Sequence, residues 1–176
     1  MTITDQHRPT EPYVVARDDG SHHHFLNHLA TTKVAAGPDG SMSAVEFVAP
    51  QGFGPPLHRH LDEDELVVVL EGSIAFRSGD QEHIGGVGAC AYLPRNIPHT
   101  FQVLSEQARF LSVTASSESS PRFDQMVAAL GTPSARPTQP EPGPIDPAHV
   151  AAVTAAHGIE VLGPPPAPLA DGGDAR

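Results

Sequence analysis

The chain has 176 residues, of which 39% are hydrophobic and only 5% aromatic, and a formal net charge of −11 with neutral histidines. This length favours a single domain that buries its own core, and the scarcity of aromatic residues predicts that the core is mostly aliphatic. The ten basic residues are scattered along the chain and form no cluster, which excludes nucleic acid and anionic membrane surfaces as expected partners.

The N-terminal stretch 1–12 is polar, contains two prolines and is predicted to be a flexible arm. It has no positive segment followed by an apolar run, so we do not interpret it as a signal peptide. No later stretch approaches the ~18 apolar residues of a transmembrane helix. The single cysteine, Cys90, precludes an intrachain disulfide, and these features together predict a cytoplasmic protein. Cys90 lies in the apolar run 89–93 and is predicted to be a small buried hydrophobic residue.

Residues 13–116 contain many short apolar and β-branched runs that are separated by glycine and proline turns. This pattern predicts an all-β sandwich or barrel. The predicted strands are 13–16, 25–34, 41–49, 65–70, 73–76, 89–93, 100–104 and 109–115. We interpret the histidine run 22–24 as a solvated loop and the acidic run 62–64 as a solvated turn, and neither as a metal site.

After residue 116 the sequence changes from strand signals to helix signals. Ser120 is a suitable N-cap, Pro121 is a suitable first helical residue, and Gly131 ends the pattern. Between them, apolar residues recur at helical spacing: Phe123, Met126, Val127 and Leu130. A short helix needs tertiary burial, so 117–131 are predicted to form a helix packed on the strands, either as a lid over the mouth of the barrel or on its outside.

The region 132–165 combines a Pro-rich linker with weaker signals for regular structure. Asp146 and Pro147 predict the start of a second short helix, and an edge strand is predicted near its end. The final residues, 166–176, are rich in proline, glycine and alanine, and we predict that they form a disordered tail.

The most informative stretch places His58 and His60 one residue apart, with Glu65 five residues later. On an extended strand the side chains at i and i+2 point to the same face, so both imidazoles can bind one ion. Glu65 lies within reach from the next strand, and His99 follows in a second cluster of glycine and proline. Three neutral imidazoles and one carboxylate suit one divalent transition metal per chain, namely Fe, Ni, Mn, Co, Cu or Zn.

The spacing of these residues matches two cupin motifs. The first motif is glycine, five residues, His-x-His, three or four residues, glutamate, six residues and glycine, which corresponds to Gly52, His58, His60, Glu65 and Gly72. The second motif is matched at Gly88, Pro94 and His99. Asn96 replaces the middle glycine of the second motif, and asparagine also tolerates the left-handed conformation of a tight turn. Val103 replaces the final asparagine, which is not a usual metal ligand.

Residues 13–165 as a whole resemble bacterial single-domain cupins of the quercetin 2,3-dioxygenase-like kind. The resemblance implies a double-stranded β-helix (jelly-roll) barrel at 13–116 with short C-terminal helices. It also implies a homodimer, with one metal ion inside each barrel.

The site and the resemblance together predict an oxidoreductase, namely a dioxygenase that cleaves a hydroxylated aromatic or flavonol-like small molecule with O2. Glu65 is predicted to serve both as a metal ligand and as the catalytic base. Two alternatives stay open: a redox-neutral isomerase or cyclase that acts on an enolisable, polyketide-like substrate, and a small-molecule-binding cupin without catalysis. Consumption of O2 distinguishes the first alternative from the dioxygenase.

Overall fold

The structure is a computed structural model that describes residues 12–38 and 40–167. Most of the predicted arm 1–12 and of the predicted tail 166–176 therefore lies outside the described residues. Neither described helix has the length and apolar content needed to span a membrane. The elements within the described ranges are β1 (Ser21–Phe25), β2 (His28–Val34), β3 (Met42–Pro50), β4 (His58–His60), β5 (Asp64–Glu71), β6 (Ile74–Ser78), β7 (Gln81–Gly85), β8 (Cys90–Leu93), β9 (His99–Val103), β10 (Gln107–Ala115), α1 (Phe123–Leu130), β11 (Thr132–Ser134), α2 (Pro147–Ala156) and β12 (Ile159–Val161).

The strands form two antiparallel sheets whose inner faces share one core. The larger sheet has the order β11-β1-β2-β3-β10-β5-β8, and the smaller has the order β12-β4-β9-β6-β7. Val67 and Phe110 of the larger sheet meet Ile74 and Val103 of the smaller sheet in the core. No ladder joins the two sheets within the described residues, so side-chain packing holds them face to face. The predicted all-β cupin fold is confirmed.

Alternation along the central strands decides which side chains enter the core. In β10, Phe110, Ser112 and Thr114 are buried, whereas the residues between them are more exposed. The ring of Phe110 lies 5.1 Å from that of Phe101, in an edge-to-face contact between the two sheets. Five of the seven phenylalanines belong to the core, and most of its other residues are aliphatic, as predicted.

The start of the larger sheet differs from the predicted strands. The predicted strand 25–34 is interrupted at Leu26 and Asn27, whose φ angles of 46° and 69° make a tight turn between β1 and β2. The histidine run 22–24 lies in β1 and pairs with both β2 and β11, so the prediction of a solvated loop was wrong. β11 lies in the segment predicted to be a linker, and only its distant partner β1 makes it a strand.

Two further local predictions were wrong. Residues 13–16 form no strand, and Nζ of Lys33 instead donates hydrogen bonds to backbone carbonyl oxygens in this region: those of Ala16, Arg17 and Asp19. Cys90 is exposed, because β8 is the outer strand of the larger sheet and alternation turns Cys90 and Tyr92 outward.

The two helices begin in different ways. α2 begins as predicted, because the carboxylate of Asp146 accepts hydrogen bonds from the backbone N–H groups of Ala148 and His149. α1 begins only at Phe123, after the predicted Ser120 and Pro121, and no side chain in the described part of the chain caps it. The backbone N–H of Arg122 donates instead to the carboxylate of Glu63, so a tertiary contact fixes the start of α1.

Asn96 has a φ of 65°, and its backbone N–H donates a 2.7 Å hydrogen bond to the carbonyl oxygen of His60. The left-handed conformation costs most residues about 1–2 kcal/mol, but it costs asparagine and glycine less. We therefore predict that Asn96→Ala lowers the free energy of unfolding by about 1 kcal/mol, whereas Asn96→Gly lowers it by less. Urea denaturation of both variants measures the difference. Equal stability of the alanine variant and the wild type would contradict this account of the turn.

Candidate metal centre

The four predicted metal-binding residues converge inside the fold from both sheets. His58 and His60 lie on β4, and His99 lies opposite His58 on the neighbouring strand β9. Glu65 comes from β5 in the larger sheet. One ligand atom from each of these four residues lies within 4.8 Å of those of the other three. Two strands of one sheet and one strand of the other therefore bring the predicted ligand set together.

Short backbone contacts fix which nitrogen each imidazole presents. Nδ1 of His58 lies 2.8 Å from the carbonyl oxygen of Pro56, and Nδ1 of His99 lies 2.9 Å from that of Ile97. A carbonyl oxygen only accepts hydrogen bonds, so both Nδ1 atoms carry the proton and donate it. Nε2 of each ring is left with a free lone pair, as a metal ligand requires.

Several buried polar atoms of the cluster have no protein partner. Among the described residues, none hydrogen-bonds Nδ1 or Nε2 of His60 or Nε2 of His99. Oε2 of Glu65 lies 3.4 Å from Nε2 of His99 and 3.8 Å from Nε2 of His60, too far for a hydrogen bond to His60. Buried polar atoms are rarely left unpaired, and a divalent cation in the cluster would satisfy one nitrogen of each of these two imidazoles. The residues present therefore fit a metal ion.

The protonation states also suit a cation. Burial, together with the neighbouring imidazoles of His99 and His60, lowers the pKa of His58 to about 3. Burial likewise lowers the pKa of His60 to about 4. For Glu65, burial raises the pKa, but its contacts with His99 and His60 and the hydrogen bond from Ser112 outweigh burial and lower the pKa to about 2. At neutral pH, His58 and His60 are neutral and Glu65 is ionised, which are the forms that bind metal.

Ser112 supports the site, although the sequence analysis did not single it out. Its hydroxyl group donates a hydrogen bond to Oε1 of Glu65, and this leaves Oε2 facing the histidines. Ser112 is buried on β10, opposite Val67 of β5. The available signal was a polar residue at an inward-facing position of β10, and this position can be identified only once the register of β10 is known.

The acidic run between β4 and β5 does not join the cluster. Asp64 forms an ion pair of 2.9 Å with Arg95, and Asp62 forms one of 3.1 Å with Arg122. Glu63 is buried under the start of α1, so the prediction that the whole run is a solvated turn was wrong for this residue. Burial raises the pKa of Glu63, which accepts the N–H of Arg122.

An apolar cavity adjoins the cluster, and His58 and Glu65 form part of its wall. Its volume is about 80 Å³, against the ~10–15 Å³ that one water molecule needs. Phe53 and Phe101 line it. One side is formed by apolar residues of α1, namely Phe123, Met126 and Leu130. The ring of Phe123 lies 5.7 Å from that of His60, so α1 lies beside the cluster and not on the remote outside of the sheets.

Comparisons with known proteins agree with this arrangement. Residues 44–114 match a family model described as Cupin domain. The chain is similar to the quercetin 2,3-dioxygenase of Bacillus subtilis (strain 168), with 25% identity over 104 residues that cover 58% of this chain and 31% of that protein. It thus spans about a third of the curated relative that it matches.

Solved structures with a similar chain trace include KdgF from Halomonas sp., with 16% identity, a TM-score of 0.47 and coverage of 52% of this chain and 81% of that chain. Another is TT1209 from Thermus thermophilus, with 25% identity, a TM-score of 0.44 and coverage of 49% of this chain and 83% of that chain.

We predict that the purified protein binds one divalent metal ion per chain and that His60→Ala and His99→Ala each abolish stoichiometric binding, because each removes one imidazole ligand. Elemental analysis after equilibration with Zn²⁺ and removal of excess ion measures the occupancy. The matched control is His83→Ala, which removes an exposed histidine of β7 and should leave the occupancy unchanged. Full occupancy in either ligand variant would exclude that residue as a required ligand.

Ser112→Ala should weaken metal binding by about 10- to 100-fold, because loss of the hydroxyl donor frees the carboxylate of Glu65 to rotate. Competition with a chelator of known affinity measures this change. Ser43→Ala is the control, since Ser43 is an equally buried serine whose hydroxyl group pairs with Thr114 instead of Glu65. Similar losses in both variants would show that general destabilisation, and not the contact with Glu65, is responsible.

Proposed function

This chain belongs to the cupin superfamily, and we propose that it is a metal-dependent oxidoreductase, a dioxygenase that cleaves a hydroxylated aromatic or flavonol-like small molecule with O2. One divalent transition metal per chain, bound by His58, His60, Glu65 and His99, is part of this proposal. So is a homodimer as the working form.

The observation that carries the proposal is the position of the four-residue cluster beside an apolar cavity, with His58 and Glu65 in the cavity wall. A substrate that fits must present an oxygen atom to the cluster and a flat apolar body to the phenylalanines. Phe53 and Phe101 lie 6.2 Å apart between ring centroids and both line the cavity. A hydroxylated aromatic ring combines these two properties. The similarity to a protein named quercetin 2,3-dioxygenase supports the same substrate class.

In this proposal, each residue of the site has a separate role. A divalent ion held by the four residues of the cluster would lower the pKa of a substrate hydroxyl group bound next to Glu65. Glu65 is buried and ionised at the cluster, so it can accept the proton of a hydroxyl group acidified in this way. Ser112 holds the carboxylate in place during the transfer. The apolar residues of α1 keep water away from the electron-rich substrate.

The test is O2 uptake by the metal-reconstituted protein with flavonols and catechols as substrates. We expect uptake that depends on both metal and substrate, and incorporation of labelled oxygen atoms into the ring-opened product. If the protein converts a substrate without taking up O2, the proposed function would be that of an isomerase or cyclase and not of a dioxygenase. If the protein binds a substrate but converts it with none of the metals, the proposed function would be that of a binding protein and not of a dioxygenase.

For the substrate identified in this way, Glu65→Gln should lower turnover by about 100- to 10,000-fold while the protein still binds metal, because an amide cannot accept the proton. Turnover per bound metal ion is the quantity to measure, so that loss of ligand and loss of base are separated. A fully metallated glutamine variant that works at the wild-type rate would eliminate Glu65 as the base.

A further inference from the structure

A buried histidine outside the ligand set, His28, also lines the cavity. It is the first residue of β2, and only 1% of its surface is exposed. A histidine buried among apolar residues is costly unless its polar atoms are used. The fold and the proposed metal centre do not account for both ring nitrogens of His28.

The ring of His28 is held in one orientation. Nδ1 lies 3.1 Å from the carbonyl oxygen of Leu26, so Nδ1 carries the proton and donates it. Three phenylalanines pack around the ring, with centroid distances of 5.2 Å for Phe25, 5.4 Å for Phe47 and 4.0 Å for Phe53. His28 therefore has a fixed position and a fixed tautomer.

This tautomer makes Nε2 a hydrogen-bond acceptor. The hydrogen bond to Leu26 engages Nδ1 and leaves Nε2 for another partner. Burial lowers the pKa of His28 to about 4, so the ring is neutral at pH 7 and the lone pair on Nε2 is available.

The cavity offers few other polar side chains. Apart from His58 and Glu65 of the metal centre, the polar residues in its wall are His28 and Thr154. The hydroxyl group of Thr154 already donates to the carbonyl oxygen of Ala151 within α2. His28 is therefore the side chain best placed to bind a polar group of a ligand away from the metal centre.

We propose that Nε2 of His28 accepts a hydrogen bond from a second hydroxyl group of the substrate, so that the cavity selects aromatic molecules with one hydroxyl group at the metal centre and another at His28. This inference rests on the proposed function, since it assumes that the first oxygen binds at the cluster. It makes His28 a positioning residue that determines which substrates fit.

The expected selectivity follows from the cost of an unpaired acceptor. A ligand that places a methoxy group against Nε2 fills similar space but donates no hydrogen bond, and it leaves the lone pair buried and unpaired. Such a mismatch lowers affinity by roughly 5- to 100-fold. The preference for hydroxyl over methoxy should therefore depend on His28.

The experiment uses zinc-bound protein with ¹⁵N-labelled histidines and matched ligand pairs: catechol with 2-methoxyphenol, resorcinol with 3-methoxyphenol, and hydroquinone with 4-methoxyphenol. NMR titrations follow the ring nitrogens of His28, His58 and His99. We expect at least one diphenol to shift the Nε2 resonance of His28 and to bind at least about 5-fold more tightly than its methoxy partner.

Two variants separate positioning from a purely structural role. His28→Asn keeps a side-chain N–H near the position of Nδ1 but has no acceptor at the position of Nε2, so it should lose the preference while it keeps the fold and the metal. His28→Gln brings an amide oxygen near the position of Nε2 and should retain part of the preference. Thermal unfolding and metal content of both variants serve as controls.

The outcomes distinguish this inference from the function on which it rests. If diphenols shift His58 and His99 but leave His28 unmoved, or if His28→Asn keeps the preference, this inference is wrong and the proposed function stands. If no phenol shifts the histidines of the metal centre, the result contradicts the proposed substrate class and overturns this inference with it.

Discussion

The structure depends on one constraint: four polar side chains must be buried between two sheets that no strand pairing joins within the described residues. Each imidazole nitrogen left unpaired in such an interior costs roughly 1–3 kcal/mol. Three of these nitrogens, on His60 and His99, have no partner in the described part of the chain. Their combined cost is a large fraction of the roughly 5–15 kcal/mol by which a typical domain is stable. A bound cation would therefore contribute to holding the two sheets together as well as to chemistry.

The surroundings of the cluster follow from the same constraint. The carbonyl oxygens of Pro56 and Ile97 orient two of the imidazoles, and Ser112 orients the carboxylate. In each case, a backbone or hydroxyl group satisfies the outer polar atom of a ligand, so that its inner atom is left to face the cluster. α1 closes the same region with apolar side chains, and its first residues are fixed to the loop before β5 through Glu63.

The parts of the site that could be predicted from sequence are those that local spacing encodes. His58 and His60 share a face because of strand periodicity, and Asn96 occupies a left-handed turn that its side chain tolerates. Asp146 caps α2 through atoms only two and three residues away. Local pattern, together with the second motif, was also enough to place His99 with the other ligands.

The parts that could not be predicted depend on distant partners. β11 is a strand only because it lies against β1, and the exposure of Cys90 depends on the position of β8 at the edge of its sheet. Ser112 and His28 acquire their roles only when register and sheet packing bring them to the cluster and the cavity. Neither stands in a motif, so spacing along the chain carries no signal for them.

The pairing of β12 with β4 has a consequence for the order of assembly. β4 has three residues, and its ladder with β9 consists of the single pair of His58 and His99. Its longer ladder is with β12, where Ile159 faces His60 and Val161 faces His58, and Arg59 pairs with Glu160 at 2.7 Å. Arg59 and Glu160 are 101 positions apart, so during synthesis β4 emerges long before this partner. β4 can therefore complete its longer ladder only after residues 159–161 have been synthesised.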